Sequence, residues 1–325
     1  MKKFLLTILF LAVGTPLFSE TSVIQTLPSG IGGLKETSQK KESVVCVHAF
    51  LRSYTSLKPI ARVLEKEHYD VFIWNYETRK FTLERHAEHL NLLLKKIAEL
   101  KPGVPINFVT HSIGGVIVRV ALARPDCPEE AKKGKAILMA PPNAGSTLAR
   151  RYRCVKFVQF VFGGKLGRQL LTYCPTKMLN IAKLPASLDV LILSGNKHSK
   201  FLPFRLPYEN DGKVCTIETK LDTPHKTYVI HTSHTYIINN RKSLYLMKEF
   251  LKEGNKTSII EDTPEAALEQ TVMEDKQKNS RLKPYPNQDV YVIHCFGSRP
   301  YNLYGFPKKW NPSQKSEIGL EKLEK

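Results

Sequence analysis

Two kinds of segment alternate along the chain. Short unbroken apolar runs, of the kind that forms a strand covered on both faces, occur at residues 43–47, 69–74, 135–140, 188–193 and 226–230, and a further one ends at Thr110. Between them lie stretches with helical spacing. Leu57, Ile60, Ala61 and Leu64 form one apolar stripe. Leu83, Ala87, Leu90, Leu94 and Ile97 recur at alternating intervals of four and three, which predicts an amphipathic helix over 82–100. Pro102-Gly103 stops that helix, another runs from the apolar segment after Ser112 to about Ala123, and Leu244, Met247, Phe250 and Leu251 mark a closing helix over 243–252. Strands alternating with helices predict an α/β fold, with a mostly parallel sheet and helices on both faces. No internal repeat interrupts the order.

Two regions depart from this alternation. Residues 146–187 form a basic, aromatic-rich insertion. Beyond 254 the chain turns to Glu, Lys, Gln, Pro and Asn, and only 289–296 looks like a strand. The expected organisation is therefore a main domain over 43–253 and a basic C-terminal extension over 254–325 whose order the pattern leaves open. Residues 1–19 begin Met1-Lys2-Lys3, continue as an apolar core from Phe4 to Val13, and carry small residues at Gly14 and Ser19. That is the layout of a signal peptide and predicts export. Its apolar core is too short to span a bilayer. Residues 20–42 then read as a polar tether.

Charge narrows the partners. There are 49 Lys and Arg against 30 Asp and Glu, a formal balance of +19. Such a field favours anionic partners, among them an acidic membrane surface. The basic residues are scattered and no aromatic-interleaved module accompanies them, so nucleic acid is not an expected partner. Six cysteines permit disulfides without requiring them. Cys46 and Cys215 read as buried small hydrophobes. Cys127, Cys154, Cys174 and Cys295 lie in looser segments, and a Cys154–Cys174 bridge is conceivable. No C-x-x-C or H-E-x-x-H spacing supports a metal site, and no cofactor is called for.

The chemistry concentrates at Ile106-Asn107-Phe108-Val109-Thr110-His111-Ser112-Ile113-Gly114-Gly115. An apolar run ends, a serine follows, and glycines open a helix. This is how a tight strand-to-helix turn lifts a serine hydroxyl above a sheet edge. Such a turn needs small residues two before and two after the serine; Gly114 satisfies this, whereas Thr110 stands where glycine is usual. A serine hydroxyl becomes a nucleophile only when an imidazole removes its proton, and a carboxylate must fix that imidazole's tautomer. Asp211, in the polar turn Tyr208-Glu209-Asn210-Asp211-Gly212, fits the acid, with Glu209 and Asp222 as substitutes. His234, after the last strand of the set, fits the base. His231 is its rival, with a position in the strand run that predicts a packed side chain. His48 and His111 are expected to brace loops rather than move protons.

Four blocks in order give a resemblance to the bacterial lipase/esterase-like α/β-hydrolases that carry a T-H-S-x-G-G elbow. They are Val45-Cys46-Val47-His48-Ala49-Phe50, Thr110 to Arg119, Ala140-Pro141-Pro142-Asn143-Ala144-Gly145-Ser146, and Asn210 to Val214 with Ser233-His234-Thr235. They span roughly 43–253. Members of that group commonly have Thr at the position of Thr110. The resemblance implies an α/β-hydrolase fold, Ser112 as nucleophile, Asp211 as acid and His234 as base. It implies an oxyanion hole from the Phe50 and Ile113 amides, and a reaction on carboxylic, lipid-like esters through an acyl-enzyme. The family's His-Gly block reads His48-Ala49 here.

The insertion occupies the place of this fold's lid. Its run Arg150 to Phe162 mixes cations with aromatics, and Phe157 and Phe160 are the expected contacts to acyl chain or lipid surface. Two further readings stay open at this level. The same site could pass its acyl group to an alcohol and act as a lipid acyltransferase, or the scaffold could bind lipid or protein with weak catalysis.

Overall fold

The computed structural model describes residues 41–198, 206 and 208–252, together with the backbone of 290–295 and 321–322. The expected signal peptide, the tether and most of the extension lie outside the described residues.

Eight strands form one sheet: β1 (Ser43–Val47), β2 (Asp70–Tyr76), β3 (Ile106–His111), β4 (Lys135–Met139), β5 (Asp189–Gly195), β6 (Lys226–Ile230), β7 (Val290–Cys295) and β8 (Glu321–Lys322). Their order across the sheet is β6-β5-β4-β3-β1-β2-β7-β8. Every pairing from β6 to β7 is parallel, and β8 runs antiparallel to β7. The α/β expectation holds. The strand-like stretch near 290 is found hydrogen-bonded to β2, with Val71 opposite Val290 and Tyr76 opposite Cys295.

The central strands show why their sequences lack alternation. In β1, Val45 and Val47 enter one core while Val44 and Cys46 enter the other. β2 divides in the same way, with Phe72, Trp74 and Tyr76 on the first face and Val71 and Ile73 on the second. Helices cover both faces, so both sets must be apolar. The first face packs against α2 (Leu83–Leu100) and α3 (Ile113–Leu122). The second packs against α1 (Lys58–Lys66) and, near the C-terminal end of the described region, a helix at Arg241–Lys252. The Thr82 side chain caps α2 by accepting from the Arg85 N–H at 3.3 Å, as the polar residue before the apolar stripe suggests.

The remaining helices are short. After α4 (Glu129–Lys132), the insertion folds into α5 (Thr147–Arg151), α6 (Lys156–Val161), α7 (Lys165–Thr172) and α8 (Pro175–Asn180), which makes the Arg241–Lys252 helix α9. These segments differ in how they are held. α7 buries Leu166, Leu170 and Leu171, and the Leu83 N–H donates to Gln169 Oε1 at 2.6 Å, tying α7 to the start of α2. α6 buries none of its residues. Its last turn is tied back where Arg79 Nη2 donates to the Phe160 carbonyl at 3.1 Å.

Three cysteine and histidine expectations need correction. Cys154 and Cys174 are both free and exposed, so the conceivable bridge is not formed. Cys127, read as lying in a looser segment, is buried and packs in the first core. His231 is exposed just beyond β6, with its ring Nδ1 3.1 Å from Asn196 Oδ1, because β6 is an edge strand with one face open.

Candidate active site

The site forms at the C-terminal ends of the parallel strands, where loops from β1, β3, β5 and β6 converge. Ser112 follows β3 directly with φ 55° and ψ −126°. Left-handed backbone at a non-glycine residue is strained and persists only when its surroundings enforce it. Here the Ser112 N–H donates to the Met139 carbonyl at 2.8 Å, anchoring the turn to the end of β4. A Cβ on Gly114 would sit 2.6 Å from the Val47 carbonyl oxygen, so only glycine lets the first turn of α3 lie against the end of β1. At Gly115 a Cβ would lie 3.1 Å from Thr110 Oγ1. The second glycine thus makes room for the threonine that replaces the usual small residue. Ser112 is 9% exposed, and its Oγ makes no hydrogen bond among the described residues.

Asp211 and His234 meet beside this turn. Asp211 Oδ2 lies 2.7 Å from His234 Nδ1. Because a carboxylate accepts, Nδ1 carries the proton and Nε2 is left as the basic atom. Asp211 Oδ1 accepts from the Lys213 and Val214 amides at 2.9 and 2.8 Å, and the His234 N–H donates to the Asp211 carbonyl at 3.0 Å. Both side chains are buried, at 3% and 5% exposure. Glu209, by contrast, is exposed and accepts from Asn196 Nδ2, and Asp222 is exposed. The structure therefore brings Asp211, not its substitutes, to His234.

The two other histidines hold the framework. Nε2 of His111 lies 2.9 Å from the His234 carbonyl, and the two rings are 5.1 Å apart. That bond places the His111 proton on Nε2. Burial first, then the neighbouring His234, with smaller contributions from Lys213 and Arg52, holds the His111 ring well below the usual histidine range. It stays neutral. His48 is fully buried, and burial lowers it to about 4. Its Nε2 accepts from the Tyr76 N–H at 3.3 Å, so Nδ1 donates to the Ala49 carbonyl at 3.0 Å. The Tyr76 hydroxyl donates to the His48 carbonyl at 2.8 Å, and the rings stack 4.3 Å apart.

These contacts fix the loop that carries Phe50. Leu51, at φ 56°, is held by its N–H donating to Thr78 Oγ1 at 3.1 Å. The Phe50 N–H has no acceptor among the described residues. Neither does the Ile113 N–H, which as the first amide of α3 has no partner within its own helix. The Phe50 ring stacks on Phe162 at 5.2 Å, joining this loop to the insertion. Phe157 is half-buried and Phe160 is 72% exposed.

One participant escapes sequence reasoning. Arg119 on α3 is 1% exposed and has no carboxylate within ion-pair distance among the described residues. Nη1 donates to the Asn143 carbonyl and Oδ1 at 3.2 and 3.1 Å. Nη2 donates to the carbonyls of Met178, Leu179 and Ala182 at 3.3, 2.9 and 2.9 Å. The helix behind Ser112 is thereby tied to the end of the insertion. Burial lowers the guanidinium to about 10, partly offset by Asp222. Among the described residues no group of three or more His, Cys, Asp or Glu side chains converges as a metal site.

A strained serine at a strand-to-helix turn, with a buried Asp–His pair beside it on a parallel sheet, defines the α/β-hydrolase fold class. The resemblance in the sequence carries through to the solved structures: the fold is that of bacterial lipases and esterases. The chain is similar to the Bacillus licheniformis lipase BlEst2 in its propeptide form (TM-score 0.57, 19% identity, over 71% of this chain and 55% of that one). It is similar to the metagenomic carboxyl esterase MGS0156 (0.51, 20%, over 65% and 69%) and to the Legionella pneumophila phospholipase PlaB (0.54, 16%, over 78% and 66%). It thus spans little more than half the length of the BlEst2 propeptide form. No family model and no curated protein sequence matches the chain.

Proposed function

We propose that this protein is a serine hydrolase of carboxylic, lipid-like esters. The reading rests on one juxtaposition: the 2.7 Å Asp211–His234 contact, which turns Nδ1 to the carboxylate and leaves Nε2 as the nitrogen available to a hydroxyl, beside the strained Ser112. The lipase, carboxyl esterase and phospholipase among similar folds support the substrate class.

In this mechanism His234 Nε2 takes the Ser112 proton as Oγ bonds to the ester carbonyl carbon. The oxygen becomes an oxyanion held by the Phe50 and Ile113 amides, each of which can lower the barrier by roughly 3 kcal/mol. When the tetrahedral intermediate collapses, the ester C–O bond breaks and His234 gives its proton to the departing alcohol. Water then attacks the acyl-enzyme. His234 takes its proton and returns it to Ser112 Oγ as the acid leaves.

A fluorophosphonate probe should label the wild-type chain at Ser112 and fail to label Ser112→Ala of unchanged circular dichroism. A folded wild type that is not labelled would refute the proposal.

The insertion supplies the acyl side. α6 presents Phe157 and Phe160 within a surface that carries Arg151, Arg153 and Lys156, a composition suited to an anionic lipid surface. Phe157→Ser combined with Phe160→Ser should lower the ratio of long-chain to short-chain p-nitrophenyl ester hydrolysis about tenfold, as expected when apolar contacts to the chain are lost. An unchanged ratio would remove α6 from substrate binding.

A further inference from the structure

A cleft of about 230 Å³ opens among Arg52, Ser56, His111, Thr235, Tyr236 and Asn239, with no residue of the insertion in its lining. This is smaller than the roughly 300–1,000 Å³ of pockets that enclose drug-sized ligands, and suits a short polar group better than an acyl chain. Two of its walls belong to the reaction centre. His111 directly precedes Ser112, and Thr235 and Tyr236 directly follow His234. The His111 wall donates from Nε2 to the His234 carbonyl at 2.9 Å, so the cleft adjoins the residue that must protonate the departing alcohol.

The lining specifies what kind of alcohol fits. Among the described residues Arg52 has no carboxylate within ion-pair distance, and its backbone is fixed by its N–H donating to the Ala49 carbonyl at 3.1 Å. Thr235 Oγ1, the Tyr236 hydroxyl and the Asn239 amide make no hydrogen bonds among the described residues. Asp211, the buried carboxylate paired with His234, already uses both oxygens. A guanidinium with no carboxylate partner among the described residues, and with several unengaged donors beside it, is the arrangement that recognises an oxyanion, phosphate above all.

We propose that the cleft is the leaving-group subsite, that it takes a phosphate-bearing alcohol, and that Arg52 is its specificity-determining residue. This rests on the ester-hydrolase reading and narrows it to esters of the glycerophosphate class.

The test compares two soluble short-chain esters, 1-butyrylglycerol 3-phosphate and 1-butyrylglycerol, so that no lipid interface enters. The wild type should favour the phosphate ester by tenfold or more in kcat/KM. Arg52→Gln should bring the ratio close to one, Arg52→Lys should keep part of it, and Arg52→Glu should invert it. Glycerol 3-phosphate should inhibit competitively, more strongly than inorganic phosphate. Equal rates on both esters in the wild type, or a preference that Arg52→Gln and Arg52→Glu leave unchanged, would overturn the subsite while leaving the hydrolase intact. Inhibition by inorganic phosphate as strong as by glycerol 3-phosphate would mark a free-phosphate site and overturn the leaving-group assignment. No turnover of either ester, with Ser112 unlabelled by fluorophosphonate, would overturn the hydrolase reading and this inference with it.

Discussion

Asp211→Asn should lower kcat on a soluble ester by about 10³–10⁴-fold with little change in stability. The size of the effect follows from which oxygen does what. Oδ1 accepts two backbone amides, from Lys213 and Val214, while Oδ2 faces His234 Nδ1. An asparagine must keep its carbonyl oxygen toward those two donors, so its NH₂ group is turned to the imidazole. A donor there forces the proton from Nδ1 to Nε2, and the ring then cannot accept from Ser112. Steady-state kinetics beside a thermal melt checks this. Activity within tenfold of wild type would mean that another group orients His234. Glu209 and Asp222, both exposed, are poorly placed to do so.

Arg119→Met should destabilise the fold by about 3–5 kcal/mol, because five acceptors lose hydrogen bonds from a charged donor, each worth about 1.5–3 kcal/mol, and removal of an unpaired buried charge offsets part of that loss. Methionine fills much of the space but leaves the Asn143 carbonyl and Oδ1, and the carbonyls of Met178, Leu179 and Ala182, without their donor. Since most of these acceptors belong to the end of the insertion, limited proteolysis should cut residues 175–182 sooner than the sheet. Arg119→Lys should rescue only part, because an ammonium offers three donors without the planar fork that spans both groups of acceptors. Urea melts and a timed digest measure both effects. A shift under 1 kcal/mol would show that the insertion is held chiefly by its apolar contacts.

Much of this was legible in the sequence. The six strands from Ser43 to Ile230 are short apolar runs because both of their faces are covered, and helices α2, α3 and α9 are long enough for their stripe to show. The elbow was legible because a strand, a serine and glycines had to occur in that order. What escaped has physical reasons. The helices of the insertion run five to eight residues each, too short to display a period. Arg119 and Arg52 look like any other cations in so basic a chain, since isolation from carboxylates is a property of the fold. Asp211 was the sequence's choice over Glu209, and its burial against His234 supplies the physical reason that spacing does not reveal. Gly115 explains Thr110 only after the two are seen to touch.

The position of β7 carries a consequence for how the chain reaches this structure. β2 is finished by Tyr76, but the strand that covers its outer edge begins at Val290. At a synthesis rate of about 5–20 residues per second, roughly 10–40 s pass between the appearance of the two. Throughout that interval, β2 presents its unpaired backbone donors and acceptors as a template for any extended segment that arrives first. The pairing also has a very high contact order, so it belongs among the late events of folding. A nascent chain, or one shortened before Val290, would therefore be the aggregation-prone species, and β7 acts as the closing seam on β2.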